Sequence, residues 1–573
     1  MKKIVLFITI LSFTFISCDD FLTVNPQDTT GAEDYYISPE ALRANTAMLY
    51  GFPWFAFHGQ LMWLAGDQLA GNVYYTYDHG GHFYYNQVGA GNSYSQSGWE
   101  GLYRAISYAN SVINDMPAFA NGNGVSETDI NKALGEARFM RATAYIFLGE
   151  IFGEVPIIEN ATALITSGNP ADIHVPRHTL PSIYRFICED LEFAASVLPL
   201  TDGPGRVTYW SAKGMLARAY LIRATYENSS TYFEEAKKCA KEVIEQSGLK
   251  LLGNYADLFD INKNNNEESL FAFQCMTGLY GAGNSRNAFI ARSARLGDQA
   301  WGGGVGPTVS LQQIYTPNDL RKKEVFMTNG DHYPQFEKAS GGYTYQLTYR
   351  DPSDLSTVVE NSNEVLANFK KYIIGKAVDN GGKVGLDQDG ANNLYVLRLA
   401  DVYLMYAEAC IGTGTSTSDG DAMTYLNEVR NRAGIGDFPG AAITIEDIML
   451  ERRKEFAFEG INWFDVKRMY YRNKQSALDY LNGMQRDRIY RLNFGEYDNM
   501  TDVEKYTYEN DRKNYYISWQ TIIDPENPDT EGGDRVNNIV FTDASMFIPL
   551  PASVTTVSPI LKEAPVDYYA NNE

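Results

Sequence analysis

The chain has 573 residues, of which 71 are acidic and 48 are basic, so its formal net charge at pH 7 is −23. A surface of this sign does not attract nucleic acid or anionic lipid head groups, which excludes binding to either through net charge. The 40 tyrosines and seven tryptophans are a heavy aromatic load. We expect some of these rings to fill the core and others to stack on a ligand.

The N-terminal residues have the composition of a lipoprotein export signal. Two lysines precede an apolar stretch at residues 4–15, which is short for a bilayer span, and the small Ser17 stands before Cys18. We expect residues 1–17 to be a signal peptide cleaved before Cys18, and this cysteine to carry lipid, palmitate included. Residues 18–37 would form the lipid-anchored tether. The alternative is an ordinary secretory signal with an incidental cysteine.

Amphipathic helical patterns then follow one another in pairs. The first long patterns, each with apolar residues at helical spacing, cover residues 99–116, 126–152, 180–198, 208–226 and 231–246. Paired helices at intervals of about 30–45 residues are typical of a tetratricopeptide-like helical-repeat scaffold.

The helical pattern stops in the middle of the chain and returns later. Residues 277–393 are rich in Gly, Asn, Tyr and Asp, which predicts a loop-rich insertion that carries function rather than disorder. Helical patterns resume at 394 and continue to 470, whereas residues 471–573 look irregular and are expected to pack on the scaffold. The sequence therefore predicts an all-α dominated fold whose scaffold comprises residues 38–276 and 394–470.

Four cysteines lie beyond the export signal, namely Cys188, Cys239, Cys275 and Cys410. An exported protein can form disulfides, and four cysteines allow three pairings. Three of the four fall inside helical patterns, however, and no two have the spacing of a metal-binding pair. Buried free thiols are therefore the expectation, with disulfides as the alternative.

Two acidic residues in a leucine-rich helical pattern, Asp401 and Glu408, invite a catalytic interpretation, which their spacing does not favour. Asp401 and Glu408 lie seven residues apart and share a helix face with leucines. Such acids are tolerated in a core only with partners, for which Arg398, Arg452 and Arg453 are the candidates. A paired-carboxylate hydrolase would instead need two acids facing each other across a cleft. We predict no enzyme activity, no cofactor and no metal site.

Sugars present apolar C–H faces and rings of hydroxyls, so a receptor needs flat aromatic rings beside hydrogen-bonding side chains. Residues 63–86 concentrate both, and the same combination recurs in the glycine-rich loop around Tyr280 and Trp301. Three glycines follow Trp301, so we expect an exposed ring there. The expected ligand-binding residues are Asp67, Asn72, Tyr74, Tyr75, Tyr84, Arg286 and Trp301, with Tyr77, Tyr85 and Tyr280 in the same two stretches. For each ring, the alternative is a place in the core.

A series of motifs runs along the chain in a recognisable order. They are EARFMRA at 136–142, FGEVP at 152–156, AKGMLARAY at 212–220, LRLADVYLMYAEA at 397–409, LNEVRNR at 426–432 and ERRKEFAFEG at 451–460. Each is weakly specific alone. In this order and behind a lipoprotein signal, they make nearly the whole chain resemble the SusD-like (RagB/SusD) family of outer-membrane nutrient-binding lipoproteins. Asn462 departs from the pattern, because the family usually has arginine there.

The resemblance implies four tetratricopeptide-like helix pairs as scaffold and a glycan site built from loops. It implies a cell-surface lipoprotein of the outer membrane, engaged in polysaccharide utilisation, that captures an oligosaccharide. Its partner would be a TonB-dependent SusC-like transporter, which the protein caps like a lid. Two alternatives remain open: the same architecture capturing a peptide or another non-glycan nutrient, and an adaptor that binds only protein.

Overall fold

The computed structural model describes residues 35–169, 171–382, 388–519 and 539–570. The predicted signal peptide, the predicted lipidation site Cys18 and most of the predicted tether lie outside the described residues. Every helix in the described ranges is too short or too polar to traverse a bilayer.

Helices dominate the described part of the chain. In chain order they are α1 (Pro39–Ala47), α2 (Asp78–Tyr84), α3 (Ser93–Asn114), α4 (Met116–Gly122), α5 (Glu127–Ile151), α6 (Ala161–Thr166), α7 (Leu180–Val197), α8 (Tyr209–Glu227), α9 (Ser230–Gln246), α10 (Arg286–Ile290), α11 (Val309–Gln313), α12 (Arg321–Val325), α13 (Leu399–Ile411), α14 (Gly420–Arg432), α15 (Ile445–Glu455), α16 (Asn462–Arg472), α17 (Lys474–Gly483), α18 (Asp502–Glu509) and α19 (Ala552–Val557). Two π-helical segments, Phe57–Leu61 and Leu64–Gln68, lie between α1 and α2.

The strands are short. They are β1 (Val73–Tyr74), β2 (Ser269–Phe273), β3 (Gly306–Pro307), β4 (Phe326–Met327), β5 (His332–Tyr333), β6 (Tyr343–Thr344), β7 (Thr348–Asp351), β8 (Asp354–Asn361), β9 (Asn368–Phe369), β10 (Leu394–Arg398), β11 (Ser416–Thr417), β12 (Ile443–Thr444), β13 (Arg488–Leu492) and β14 (Tyr515–Trp519). They form the antiparallel pairs β1–β3, β2–β10, β4–β9, β5–β6, β7–β8, β11–β12 and β13–β14.

Capping side chains fix where the long helices begin. The Asn92 side-chain oxygen accepts hydrogen bonds from the backbone N–H groups of Tyr94 and Ser95 at the start of α3. At the start of α5, the Ser126 hydroxyl accepts a hydrogen bond from the backbone N–H of Asp129. Each cap satisfies backbone donors that have no partner inside the helix.

The long helices pack in sequence order. α3 packs on α5, α5 on α7, α7 on α8, α8 on α9, and α9 on α13, which also contacts α14 and α15. Helices α5, α8 and α13 are buried on nearly all sides, so they form the inner layer of the scaffold. The predicted all-α dominated, tetratricopeptide-like fold is confirmed.

The loop-rich insertion at residues 277–393 begins and ends at neighbouring points of the scaffold. The flanking strands β2 and β10 pair with each other, with Leu394 opposite Phe273. A second pair, β1–β3, places Val73 opposite Pro307 and so joins the insertion to the segment that follows the π-helical turns. Many apolar side chains of the insertion belong to the same hydrophobic core as the scaffold helices. The insertion is therefore a folded body with loops at its surface.

The C-terminal region is more regular than the sequence indicates. After α16 it contains α17, the two-stranded sheet β13–β14, α18 and α19. Helix α18 separates β13 from β14 along the chain, so no short turn marks the pair in the sequence. The tail is bonded to the scaffold, since the N–H of Ile548 donates to the carbonyl of Ile151 over 3.0 Å.

Candidate functional site

Asp67 is buried and braces the backbone of another segment. Its carboxylate accepts hydrogen bonds from the backbone N–H groups of Phe458 at 3.0 Å and Gly460 at 2.6 Å, and from the side chain of Asn72 at 3.0 Å. Burial raises the pKa of Asp67, although these hydrogen bonds oppose the increase. The expectation of a ligand contact at Asp67 is therefore corrected: its oxygens are used inside the protein.

Asn72 is likewise buried within a polar network. Its side-chain oxygen accepts a hydrogen bond of 2.7 Å from Nε of Arg453, and its amide donates to the side-chain oxygen of Asn462. Asn462 in turn donates to Asp465 over 3.0 Å. The residue that departs from the family pattern thus links two segments of the core. Asn72, expected at the ligand, is a structural residue in this arrangement.

Tyr74 and Tyr84 face the core instead of a ligand. The hydroxyl of Tyr84 donates to the carbonyl of Arg486 over 2.6 Å, and the hydroxyl of Tyr74 donates to Glu364. Their rings contact each other edge to face, with centroids 5.4 Å apart. Tyr74 and Tyr84 are both buried, so the ligand-contacting expectation is corrected for both tyrosines.

Arg286 is fully buried below the surface of the insertion. One of its guanidinium nitrogens donates to the carbonyl of Phe458 over 2.7 Å, and the guanidinium carbon lies 4.7 Å from the ring centre of Tyr372. No ligand can reach this side chain in the observed arrangement, which corrects the expectation of a ligand contact.

Three rings remain well exposed at the predicted site. The exposed fraction is 47% for Trp301, 61% for Tyr280 and 64% for Tyr77, whereas Tyr75 and Tyr85 are half-buried. The expected exposure of Trp301 is confirmed. We call Trp301, Tyr280 and Tyr77 the aromatic platform.

Trp301 and Tyr77 are the two ends of one series of ring contacts. The Trp301 ring meets Phe289 at 4.6 Å, Phe289 meets Trp63 at 5.8 Å, Trp63 meets Tyr75 at 5.8 Å, and Tyr75 meets Tyr77 at 5.9 Å. The inner members of the series are buried or half-buried. The exposed rings therefore rest on a packed aromatic base and are held in place.

A close contact with Gly304 also determines where the Tyr77 ring lies. A Cβ atom at Gly304 would come within 2.9 Å of Cε2 of Tyr77, so the ring lies directly on the glycine backbone. Because Gly304 is three residues after Trp301, this contact brings the Tyr77 ring next to the Trp301 loop.

The loop that carries Tyr280 is tied to the Trp301 loop by two consecutive residues. The backbone N–H of Gln388 donates to the side chain of Gln299 over 2.7 Å. The carboxylate of Asp389 accepts a hydrogen bond from the Thr277 hydroxyl at 3.1 Å and another from the N–H of Gly278. The three rings of the platform thus come from neighbouring segments.

Hydrogen-bonding side chains lie near two of the platform rings in the chain. Asp78 is exposed directly after Tyr77, Asp298 is exposed three residues before Trp301, and Gln299 is partly exposed. Carboxylates and amides of this kind can bind sugar hydroxyls.

Tyr77 and Tyr280 lie in the two aromatic stretches that the sequence indicates, at residues 63–86 and in the glycine-rich loop before Trp301, but they were not among the expected ligand-binding residues. Tyr280 lies between Gly278 and Gly281, the same glycine signal that marked Trp301. Asp389 was missed as the residue that holds the Tyr280 loop. No local signal points to it, because it lies more than a hundred residues beyond Gly278.

The motif acids form the predicted ion network. Asp401 is fully buried between Arg452, at 2.7 Å, and Arg218, and Glu408 is buried against Arg468 at 2.9 Å. Burial alone would raise the pKa of Asp401, but the two guanidinium groups outweigh it and hold that pKa below its usual range. The acids are thus bound to arginines inside the scaffold, away from any cleft. Arg398 and Arg453 have other partners.

The other side chains that could carry chemistry are the cysteines and the possible metal ligands. The four cysteines beyond the export signal are free thiols. Within the described ranges, no group of three or more His, Cys, Asp or Glu side chains is arranged to hold a metal ion.

Comparison with known proteins identifies similar sequences and folds. A family model described as the SusD family matches residues 277–568, and one described as starch-binding associating with outer membrane matches residues 66–221. A SusD-like protein of Bacteroides ovatus is 34% identical over 100% of this chain and 99% of its own length. SusD-like protein P2 of Formosa agariphila is 26% identical over 83% of this chain and 92% of its own length.

A crystal structure with xylogluco-oligosaccharide is similar in fold and sequence. It has a TM-score of 0.77 and 31% identity, and the alignment covers 93% of this chain and 100% of that chain. The aligned region includes most of the scaffold and of the insertion.

Proposed function

Since the chain belongs to the SusD family, we propose that its aromatic platform binds an oligosaccharide without catalysing a reaction. The observation that carries this proposal is the exposure of Trp301, Tyr280 and Tyr77, each of which contacts a second aromatic ring. Flat rings with an exposed face are suited to the C–H faces of sugars. The relative solved with xylogluco-oligosaccharide supports a glycan over other ligand classes.

The expected affinity is modest. Each stacked ring contributes about 0.5–1.5 kcal/mol beyond the burial of area. Three rings together with hydrogen bonds to hydroxyls correspond to dissociation constants of roughly micromolar to millimolar. Such affinities suit a receptor that has to release its ligand.

A neutral glycan is favoured over an acidic one. The exposed carboxylates nearest to the platform rings in sequence are Asp78 and Asp298, while Arg286 and Arg292 are buried. Arg295 is partly exposed, but it is paired with Glu337 and Glu360. The chain as a whole carries a net charge of −23. A polyuronate would be repelled by both the local and the overall charge.

The first test measures binding by calorimetry with a panel of neutral oligosaccharides that includes xylogluco-oligosaccharides. We expect wild type to bind at least one member, and Trp301→Ala to lose affinity for it. Trp210→Ala is the matched control, because Trp210 is half-buried at the start of α8 and contacts Tyr209 instead of the platform. Retention of a peptide pool without binding to any glycan would overturn the proposal in favour of peptide capture.

We propose that the protein is anchored to the outer membrane by lipid on Cys18 and passes its ligand to a TonB-dependent SusC-like transporter. The family description, starch-binding associating with outer membrane, supports the location. Mass spectrometry of the mature N-terminus tests the anchor, and co-purification from solubilised outer membranes tests the partner. Release of Cys18→Ala into the medium is expected. An unlipidated mature N-terminus that begins elsewhere would contradict the anchor.

A further inference from the structure

We propose that the ligand site continues past Tyr280 onto Phe52, which forms an additional subsite for longer oligosaccharides. The inference rests on the proposed glycan-binding function. Phe52 lies outside both stretches in which the sequence predicts ligand residues, yet 47% of it is exposed, the same fraction as for Trp301.

Phe52 lies next to the Tyr280 end of the platform. A Cβ atom at Gly281 would be 3.8 Å from Cε2 of Phe52 and 4.0 Å from Cδ1 of Phe55. The Phe55 ring is also the support of Tyr280, with centroids 5.3 Å apart and an interplanar angle of 63°. Phe52 and Tyr280 are therefore neighbours around the backbone of Gly281, which has no side chain to separate them.

Tyr280 is supported by a neighbouring ring in the same way as Trp301. Trp301 contacts Phe289 edge to face at 4.6 Å, as Tyr280 contacts Phe55. An exposed ring on an edge-on partner is restrained in orientation and loses little freedom when a ligand stacks on it. Tyr280 thus has an edge-on aromatic support as Trp301 does, although Phe55 is half-buried whereas Phe289 is buried.

The turn that presents Phe52 is rigidly attached. Pro53 fixes the backbone after Phe52, and the indole N–H of Trp54 donates to the carbonyl of Leu49 over 2.7 Å. The N–H of Gln274, at the end of β2, donates to the carbonyl of Tyr50 over 2.9 Å. An exposed phenylalanine on a fixed turn is pre-organised for contact with a ligand.

Chemistry selects the occupant of this subsite. Phe52 carries no polar group, so it can offer only its ring face or edge. The amides of Gln274 and Asn265, which follow close to this turn, are used inside the protein, since they hydrogen-bond to each other at 2.9 and 3.1 Å and both accept from Asn393 at 3.1 Å. The subsite therefore depends on the ring of Phe52 itself. The geometry therefore extends the sugar-binding strip by further units of the same chain.

The experiment compares affinity along a length series of xyloglucan-derived oligosaccharides, from one repeat unit upward. We expect wild-type affinity to rise with length. Phe52→Ala should bind the shortest ligand as wild type does and lose about two- to tenfold on the longest, the loss expected for one stacked ring. Phe52→Tyr should restore the long-chain affinity. Phe494→Ala, which removes an exposed ring that contacts Tyr497, is the control.

The outcomes separate this inference from the proposed function. If wild type binds but Phe52→Ala matches it at every length, the subsite is refuted and glycan binding stands. An equal loss at all lengths would show that Phe52 only supports Tyr280, which also refutes the subsite. If wild type binds no member of the series or of the wider neutral panel, the proposed function fails and the subsite with it.

Discussion

Substitution of Asp401 by asparagine should destabilise the fold and leave ligand binding intact. The carboxylate accepts hydrogen bonds from Arg452 at 2.7 Å and from Arg218, and all three side chains are buried. Asp401→Asn removes the negative charge and leaves these guanidinium groups less compensated. Breaking a buried pair in this way costs about 3–5 kcal/mol.

The lower end of that range applies here. Arg452 keeps a second carboxylate, since it also donates to Asp465 over 2.8 Å, and the asparagine oxygen can still accept one hydrogen bond. Among the described residues, Arg218 keeps the carbonyl of Val396 at 2.7 Å and a weak sulfur contact with Met215. We therefore expect a loss of about 3 kcal/mol.

The assay is thermal unfolding together with calorimetric titration of glycan. For 573 residues unfolding as one unit, about 2 cal/mol/K per residue converts 3 kcal/mol into a decrease in Tm of roughly 2–3 °C. Asp498→Asn is the control, because Asp498 is exposed at the surface. An unchanged Tm for Asp401→Asn would refute the ion-network argument. A folded variant that loses glycan affinity as Trp301→Ala does would refute the separation of scaffold from site.

Three further predictions concern acid stability and the platform. Burial lowers the pKa of His58 to about 3. Between pH 6.5, its ordinary pKa, and pH 3, this histidine takes up a proton only in the unfolded chain, so the protein becomes less stable as the pH is lowered. Going from pH 7 to pH 5 should cost about 2 kcal/mol, and denaturant unfolding should show a flatter pH dependence for His58→Phe. Gly304→Ala should displace the Tyr77 ring and weaken glycan binding about two- to tenfold, whereas Gly89→Ala, with open space around its Cβ position, should bind as wild type does. Asp389→Asn should weaken binding by loosening the loop before Tyr280, and unchanged affinity in calorimetry would contradict that positioning role.

The order of the helices was readable from local patterns. A cap at Ser126 and apolar residues at helical spacing describe α5 without reference to any distant residue, because helix hydrogen bonds close within four positions. The exposure of Trp301 was likewise readable from the local sequence, because the three glycines that follow it have no side chains to cover the ring. The pairing of Asp401 with an arginine also follows from the sequence, because a buried acid requires a partner.

Local sequence patterns were enough to establish that this chain forms a helical scaffold, and they predicted an aromatic, loop-borne site. Which rings and polar groups face outward depends on tertiary packing. Tyr77 and Tyr84 lie in the same aromatic stretch, yet the first is exposed and the second is buried against the carbonyl of Arg486, a residue 402 positions away. Burial depends on partners distant in the chain, and local spacing carries no information about them.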